Sequence, residues 1–300
     1  MKIAAFASSD SYLKWAAGQL DQLPAEWPKS LRLIRNTLAP SPGQIHVALE
    51  GTSFAPHRTR KVSLYSILTL AKREQPDYLF LAMPSQQLNL VRWLLDRSAR
   101  TRGIPIISGF PGIAIGQSDD YTIAKATCSD LLIAQSLREL DVFSHRIQSK
   151  KLNTQIVLSS FPLMKNYETN KQTSHQKVSK FVFAPQATVP ESFENRMLLL
   201  TKLLQLAKRF PKIPLVIKLR ARTGEAQTHW EEFDFFDLYS KVDPVPNVSF
   251  EYVSLERSLT DEGAALLTVS STAAIESIAL GRAAVLIEDF GINDKLLNEV

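Results

Sequence analysis

"LLTVSSTAAIESIALGRAAVLI", Leu266–Ile287, contains two changes of secondary structure and the polar turn between them. The apolar run Ala264–Val269 has the length of a buried strand, and Ala273–Leu280 has helical composition. Gly281 is a natural helix stop, and Ala283–Ile287 is a second apolar run of strand length. The stretch therefore reads as β–turn–α–β, with Ser270, Ser271 and Thr272 crowded at the start of the helix. Unpaired amides and the helix dipole attract an anion to such a place. The same hydroxyls can equally cap the helix. The rest of the chain has to decide between the two.

Upstream, the same alternation recurs. Strand-like Phe181–Pro185 precedes helical Glu194–Phe210, strand-like Pro214–Arg220 follows, and Val248–Val253 is a further strand. In a parallel sheet, the loops after these strands open on one edge, where ligands of such sheets bind. The loops carry Gln186 and Thr188, then Lys218, Arg220 and Arg222 with Glu225, Gln227, Thr228 and His229, and finally the serine turn with Glu276 one helical turn in. Arginines, amides and a protonatable imidazole together suit a nucleotide phosphate that leaves with negative charge. Glu276 suits ribose hydroxyls or, equally, the helix dipole.

The first half alternates in the same way. Lys2–Ala7, Asp77–Met83, Ile104–Phe110 and Asp130–Ser136 read as strands, while Ser11–Leu23, Ser63–Gln75 and Gln86–Arg102 read as helices. "SLRLIRN" and "IHVALEG" read as short strands or their flanks. Asp10 lies just after the first strand, as a helix cap or as a general base facing a ligand. The loop Ser108–Gly116 holds Gly109, Pro111 and Gly112, so its backbone can approach an acceptor closely. Asp119 and Asp120 read as a solvated turn. Between the halves, Pro162–Lys180 is polar and without apolar periodicity, a linker. The expected organisation is a domain over 1–162, a linker over 163–180 and a domain over 181–300, each α/β and Rossmann-like and the two facing each other across a cleft.

Composition narrows the classes. No run is long enough to span a membrane, and the N-terminal apolar run is too short for a signal-peptide core. A single cysteine, Cys128, cannot form an internal disulfide and suits a cytoplasmic, reducing setting as a small buried residue. The net charge of +5 favours an anionic partner. Basic clusters at His57–Lys61 and Arg97–Arg102 suit a solvated surface, an anionic membrane or an acidic acceptor. There is no basic helix or aromatic–basic strand of a nucleic-acid reader. Dinucleotide and P-loop fingerprints, metal-ligand spacing and a GxSxG elbow are also missing from the sequence.

"VSSTAAIESIALGRAAVL" resembles the serine-rich donor-phosphate motif of bacterial GT-B glycosyltransferases, nearest to capsule and lipopolysaccharide sialyltransferases and Kdo transferases. The resemblance covers the C-terminal half in pattern and the N-terminal half only in fold logic. It implies a cytoplasmic, metal-independent enzyme without cofactor, compatible with a peripheral place at the inner membrane. Such an enzyme moves a sugar from a nucleotide-sugar donor, such as a CMP-activated acidic sugar, to a glycan or lipid-linked glycan of the cell surface. Ser270 and Ser271 would hold the donor phosphate, Glu276 the ribose, and Asp10 would deprotonate the acceptor. Such enzymes carry a His-Pro pair where this chain has Leu219-Arg220, so Arg220 or His229 must take over that work. They also end in a helix that crosses back to the first domain. Here only "NDKLLNEV" follows the last strand, which is compatible with a further C-terminal piece. A UDP-sugar 2-epimerase and a two-domain binding protein for a small ligand are the rival readings.

Overall fold

The computed structural model describes residues 1–112, 114, 119–162, 177–221, 225 and 231–290. The chain divides into two compact units, Met1–Lys165 and Asn166–Val300.

In unit 1 the order is β1 (Ile3–Ala7), α1 (Asp10–Asp21), β2 (Lys29–Ile34), α2 (Pro42–Leu49), β3 (Lys61–Val62), α3 (Ser66–Glu74) and β4 (Tyr78–Ala82). Then come α4 (Ser85–Asp96), β5 (Ile106–Ser108), α5 (Asp119–Thr127), β6 (Leu131–Ala134), α6 (Leu137–Ser149) and β7 (Gln155–Leu158). The seven strands form one parallel sheet in the order β3-β2-β1-β4-β5-β6-β7. Every residue of β1 is buried, because helices cover both faces of a parallel sheet. Leu13, Trp15 and Leu20 of α1 pack on Ala5 and Phe80 from one side, and Ile67, Leu88 and Val91 pack with Phe6 and Leu81 on the other. Each such leucine or phenylalanine contributes about 1.5–3 kcal/mol of burial.

Two stretches differ from the sequence reading. Of "IHVALEG", residues 45–49 lie in helix α2, not in a strand, with Glu50 as its C-cap. A capping box starts that helix: Gln44 N donates to Ser41 Oγ (3.2 Å), and Ser41 N donates to Gln44 Oε1 (2.9 Å). Asp119 and Asp120 open α5 instead of sitting in a solvated turn. Acids favour a helix N-terminus, and Asp119 also pairs with Arg146 Nε at 2.6 Å.

Unit 2 contains β8 (Lys180–Phe183), α7 (Phe193–Arg209), β9 (Leu215–Lys218), α8 (Phe235–Tyr239) and β10 (Val248–Glu251). It continues with α9 (Leu255–Ser258), β11 (Ala264–Thr268), α10 (Ala273–Ala279) and β12 (Ala283–Leu286). Its five parallel strands run β10-β9-β8-β11-β12, so the strand order reverses between β8 and β11. The opening stretch supplies that reversal as β11–α10–β12. Most of the expected linker lies outside the described residues. Its last part already belongs to unit 2, since Ser179 N donates to Gly263 O at 2.9 Å. Among the described residues no helix is long and apolar enough to cross a membrane.

Candidate functional site

The carboxyl ends of β8 and β11 are joined by backbone and side-chain hydrogen bonds. Thr268 Oγ1 donates to Ala184 O (2.9 Å), and Ala184 N donates to Leu267 O (3.0 Å). One step further out, Ser270 N donates to Gln186 Oε1 at 2.7 Å, and Gln186 Nε2 donates back to Ser270 O. One primary amide thus satisfies both polar groups of one backbone residue, extending the ladder past the strand ends. The Ser270 hydroxyl, fully buried, has no hydrogen-bond partner among the described residues. Leaving such a group unsatisfied costs about 1–3 kcal/mol. Ser271 Oγ instead accepts from Ala273 N at 3.2 Å, so it serves the first turn of α10. Thr272 occupies the cap position in helical conformation and makes no side-chain cap bond. Glu276 stands half-buried in that turn, its N–H donating to Thr272 O at 3.1 Å.

Gln186 is itself held by a residue that sequence reasoning passed over. Arg196 of α7 is 1% exposed, and its Nη1 donates to Gln186 O (3.0 Å), Ala187 O (3.1 Å) and Pro190 O (3.1 Å). Its Nη2 donates to Glu231, and the guanidinium lies 4.7 Å from the centre of the Phe235 ring. Burial pushes the Glu231 carboxyl up, while Arg196 and then Arg220 pull it back. Arg220 therefore stands within electrostatic reach of the buried pair. Lys218 ends β9 in register with Glu251 of β10. His229, with Arg222, Gln227 and Thr228, lies outside the described residues. The signal for Arg196 was present in the sequence: it occupies the apolar stripe of α7 with Leu199, Leu200, Leu203, Leu204 and Ala207.

At the carboxyl edge of unit 1, Ser9 caps α1, with Tyr12 N donating to Ser9 Oγ at 3.5 Å. The capping role considered for Asp10 therefore falls to its neighbour, whose extended backbone lets the hydroxyl fold back. Asp10 is the first helical residue, half-buried at the end of β1, and accepts from Ser11 Oγ at 3.4 Å. Gly109 has a different reason from the one the sequence suggested. A Cβ there would stand 2.7 Å from Trp15 Cζ2 and 3.2 Å from Ile133 Cβ, so packing already requires glycine. Trp15 Nε1 donates to Gln135 Oε1 (2.8 Å), and Gln135 Nε2 donates to Phe110 O (3.0 Å) and Gly112 O (3.3 Å). Those bonds fix the loop from behind and leave Pro111 and Gly112 half-buried. Lys125 was also missed. Fully buried on α5, its Nζ donates to Met83 O (2.8 Å), Gly109 O (2.9 Å) and Tyr12 Oη (3.2 Å). It joins the loops after β4 and β5 to the first turn of α1, and burial lowers its amine to about 7.

A family model described as "Putative glycosyltransferase (DUF6716)" matches residues 3–300. The chain belongs to this family. No curated protein matches the DUF6716 chain significantly. Solved structures do. The UDP-GlcNAc 2-epimerase of Neisseria meningitidis, bound to UDP-GlcNAc, superposes with a TM-score of 0.61 at 12% identity, over 96% of this chain and 83% of its own. UGT2 of Phytolacca americana, complexed with UDP-2fluoro-glucose and pterostilbene, gives 0.56 at 12% identity over 95% and 80%. Glycosyltransferase VinC in complex with dTDP gives 0.51 at 10% identity over 97% and 82%. At such identities the likeness shows the fold alone: two parallel-sheet Rossmann-like units, as in GT-B enzymes. The sialyltransferase and Kdo-transferase likeness seen in the serine motif is not among what these comparisons show.

Proposed function

We propose that this DUF6716 chain transfers a sugar from a pyrimidine nucleotide-sugar, bound at the carboxyl edge of unit 2, to a surface glycan or lipid-linked glycan. The observation that carries the reading is the Ser270 hydroxyl, buried at the strand-order reversal without a partner among the described residues, with its backbone held by Gln186. A donor phosphate oxygen supplies the acceptor that hydroxyl lacks. Ser271 and Thr272 border the same turn, Glu276 meets the ribose, and Lys218 and Arg220 offset the charge of the departing nucleotide. His229 is assigned the proton that the leaving phosphate takes up. Asp10 removes the proton of the acceptor hydroxyl, whose oxygen forms the new bond to the anomeric carbon. The bond from that carbon to phosphate breaks, its electron pair leaving with the nucleotide. The loop of Gly109, Pro111 and Gly112 lies on the acceptor side.

The molecules bound in the structural relatives, UDP-GlcNAc, UDP-2fluoro-glucose and dTDP, support a pyrimidine nucleotide. A CMP-activated acidic sugar is the finer expectation from the serine motif. The work takes place on the cytoplasmic side of the inner membrane and needs no metal ion, so EDTA leaves turnover unchanged. A thermal-shift screen against CMP, UDP, dTDP and their sugars tests the donor site, because a ligand of the native state raises Tm by mass action. Silence from every nucleotide removes the reading. Asp10→Asn is expected to abolish transfer while donor affinity stays within about twofold, the base acting only in the chemical step. The likeness to UDP-GlcNAc 2-epimerases favours one rival, separated by product analysis: an epimerase changes the donor sugar with no acceptor present.

A further inference from the structure

A recess lies along the β2–β3 edge of the unit 1 sheet. β3 pairs only with Leu33 and Ile34, so no strand covers Lys29–Arg32 of β2 on that side. A cavity of about 550 Å³ opens against this bare edge. Trp27, Phe54 and Leu70 form its apolar wall, and Trp27 and Phe54 also pack on the core beneath α1. Five cationic side chains line it, Lys29, Arg32, Arg58, Arg60 and Arg73, and no acidic one does.

The neighbouring acids do not balance this charge. Lys29 Nζ is committed to Leu23 O (3.0 Å), Pro24 O (3.0 Å) and Leu20 O (3.3 Å). Glu74 is shared by Arg32 (2.6 Å) and Arg73 (3.3 Å). Asp21 accepts from the backbone N–H (2.9 Å) and the hydroxyl of Ser53. Arg58 and Arg60, from the basic cluster His57–Lys61, make no ion pair among the described residues. Cations gathered around one recess repel each other, and an anion held between them relieves the repulsion. Guanidinium forks match the oxygens of phosphate in particular.

We propose that this cavity is a binding site for a phosphate-bearing ligand, separate from the donor site of unit 2. The volume suits a small molecule or a headgroup. Phosphate chemistry of this kind comes either from a soluble phosphate compound or from an anionic lipid headgroup, and the test separates them.

The full chain is titrated with inorganic pyrophosphate by calorimetry and floated with phosphatidylcholine vesicles with and without phosphatidylglycerol. The same runs use Arg58→Glu/Arg60→Glu, whose side chains are exposed and whose folding is checked by circular dichroism. The expected result is salt-sensitive binding to one probe that falls at least about tenfold in the double variant, two charge-assisted contacts being lost. Arg73→Gln, 71% exposed at its side chain, provides a milder change with an expected loss of about threefold. Binding of pyrophosphate without flotation identifies a soluble phosphate compound, and flotation only with phosphatidylglycerol identifies a lipid headgroup. Binding to neither probe overturns the proposal. So does equal binding by wild type and the double variant, which would place the anion elsewhere, the donor site included.

Discussion

At Ser270, stability and function pull apart. A buried hydroxyl without a partner among the described residues weakens the free protein, and the proposed donor phosphate would reverse that cost. Ser270→Ala removes the unsatisfied group and little volume. Its melting temperature is expected to equal or exceed the wild type's, while nucleotide affinity drops about tenfold, the worth of one charge-assisted hydrogen bond. A structural serine would behave in the opposite way, losing stability and keeping affinity. Gly109 makes the complementary case, a residue that looks like a ligand contact and is explained by packing. Gly109→Ala drives a methyl to 2.7 Å from the Trp15 ring, and overpacking of this kind costs about 1–3 kcal/mol. Chemical denaturation measures it. An unchanged midpoint would mean that packing does not demand the glycine and that the close approach of a ligand does.

Among the elements, the loop from β8 to α7 shapes the proposed donor site, and Arg196 fixes that loop. One guanidinium gathers three carbonyls with Nη1 and one carboxylate with Nη2, a division of labour that an ammonium cannot copy at once. Arg196→Leu leaves Glu231 buried and unpaired, with an expected loss of about 3–5 kcal/mol. Arg196→Lys should recover only part of it. Adding Glu231→Gln to Arg196→Leu should restore stability better than it restores nucleotide binding, because Gln186 stays unsupported. Equal recovery of both in a double-mutant cycle would refute the link from Arg196 to the donor site. The sequence made α7 legible through its leucines, and the arginine on the same stripe was the overlooked clue. α5 was harder to read. Its weakly amphipathic stretch buries Thr122, Lys125 and Ala126, so the apolar periodicity that marks a helix is almost missing. α2 was misread because "IHVAL" suits a strand, although Ser41, Pro42 and Gln44 had already written a helix start.

Across the whole molecule, alternation of strand and helix made both parallel sheets legible, since buried parallel strands read as short apolar runs wherever they fall. What stayed hidden is how each unit fixes its strand-order reversal, because the partners lie far apart in the chain. Unit 2 uses Gln186 and Ser270, and unit 1 uses Lys125 between the loops after β4 and β5 and the first turn of α1. Lys125 gives the molecule a pH signature. Burial lowers its amine to about 7, against about 10.4 in an unfolded chain. Below pH 7 the lysine is charged in both states, and the fold carries the cost of burying that charge. Between the two values the unfolded chain binds a proton that the folded one does not, so stability rises with pH. The rise is at most about 1.4 kcal/mol per unit, reduced to the extent that Met83 O, Gly109 O and the Tyr12 and Phe110 rings favour the ammonium. The Tyr12 phenol, raised by burial, keeps its proton across this window, whereas the Cys128 thiol, also raised by burial, opposes the rise: above about pH 8.5 the unfolded chain loses a proton that the fold keeps, so the climb is steepest between pH 7 and 8. Urea midpoints at pH 7, 8 and 9 should therefore climb in the wild type. In Lys125→Met that climb should be absent, with at most a fall toward pH 9 from Cys128, and the midpoint should be lower throughout because two buried carbonyls lose their donor. Parallel slopes in the two proteins would mean that Lys125 keeps its proton and acts as a permanently charged pin.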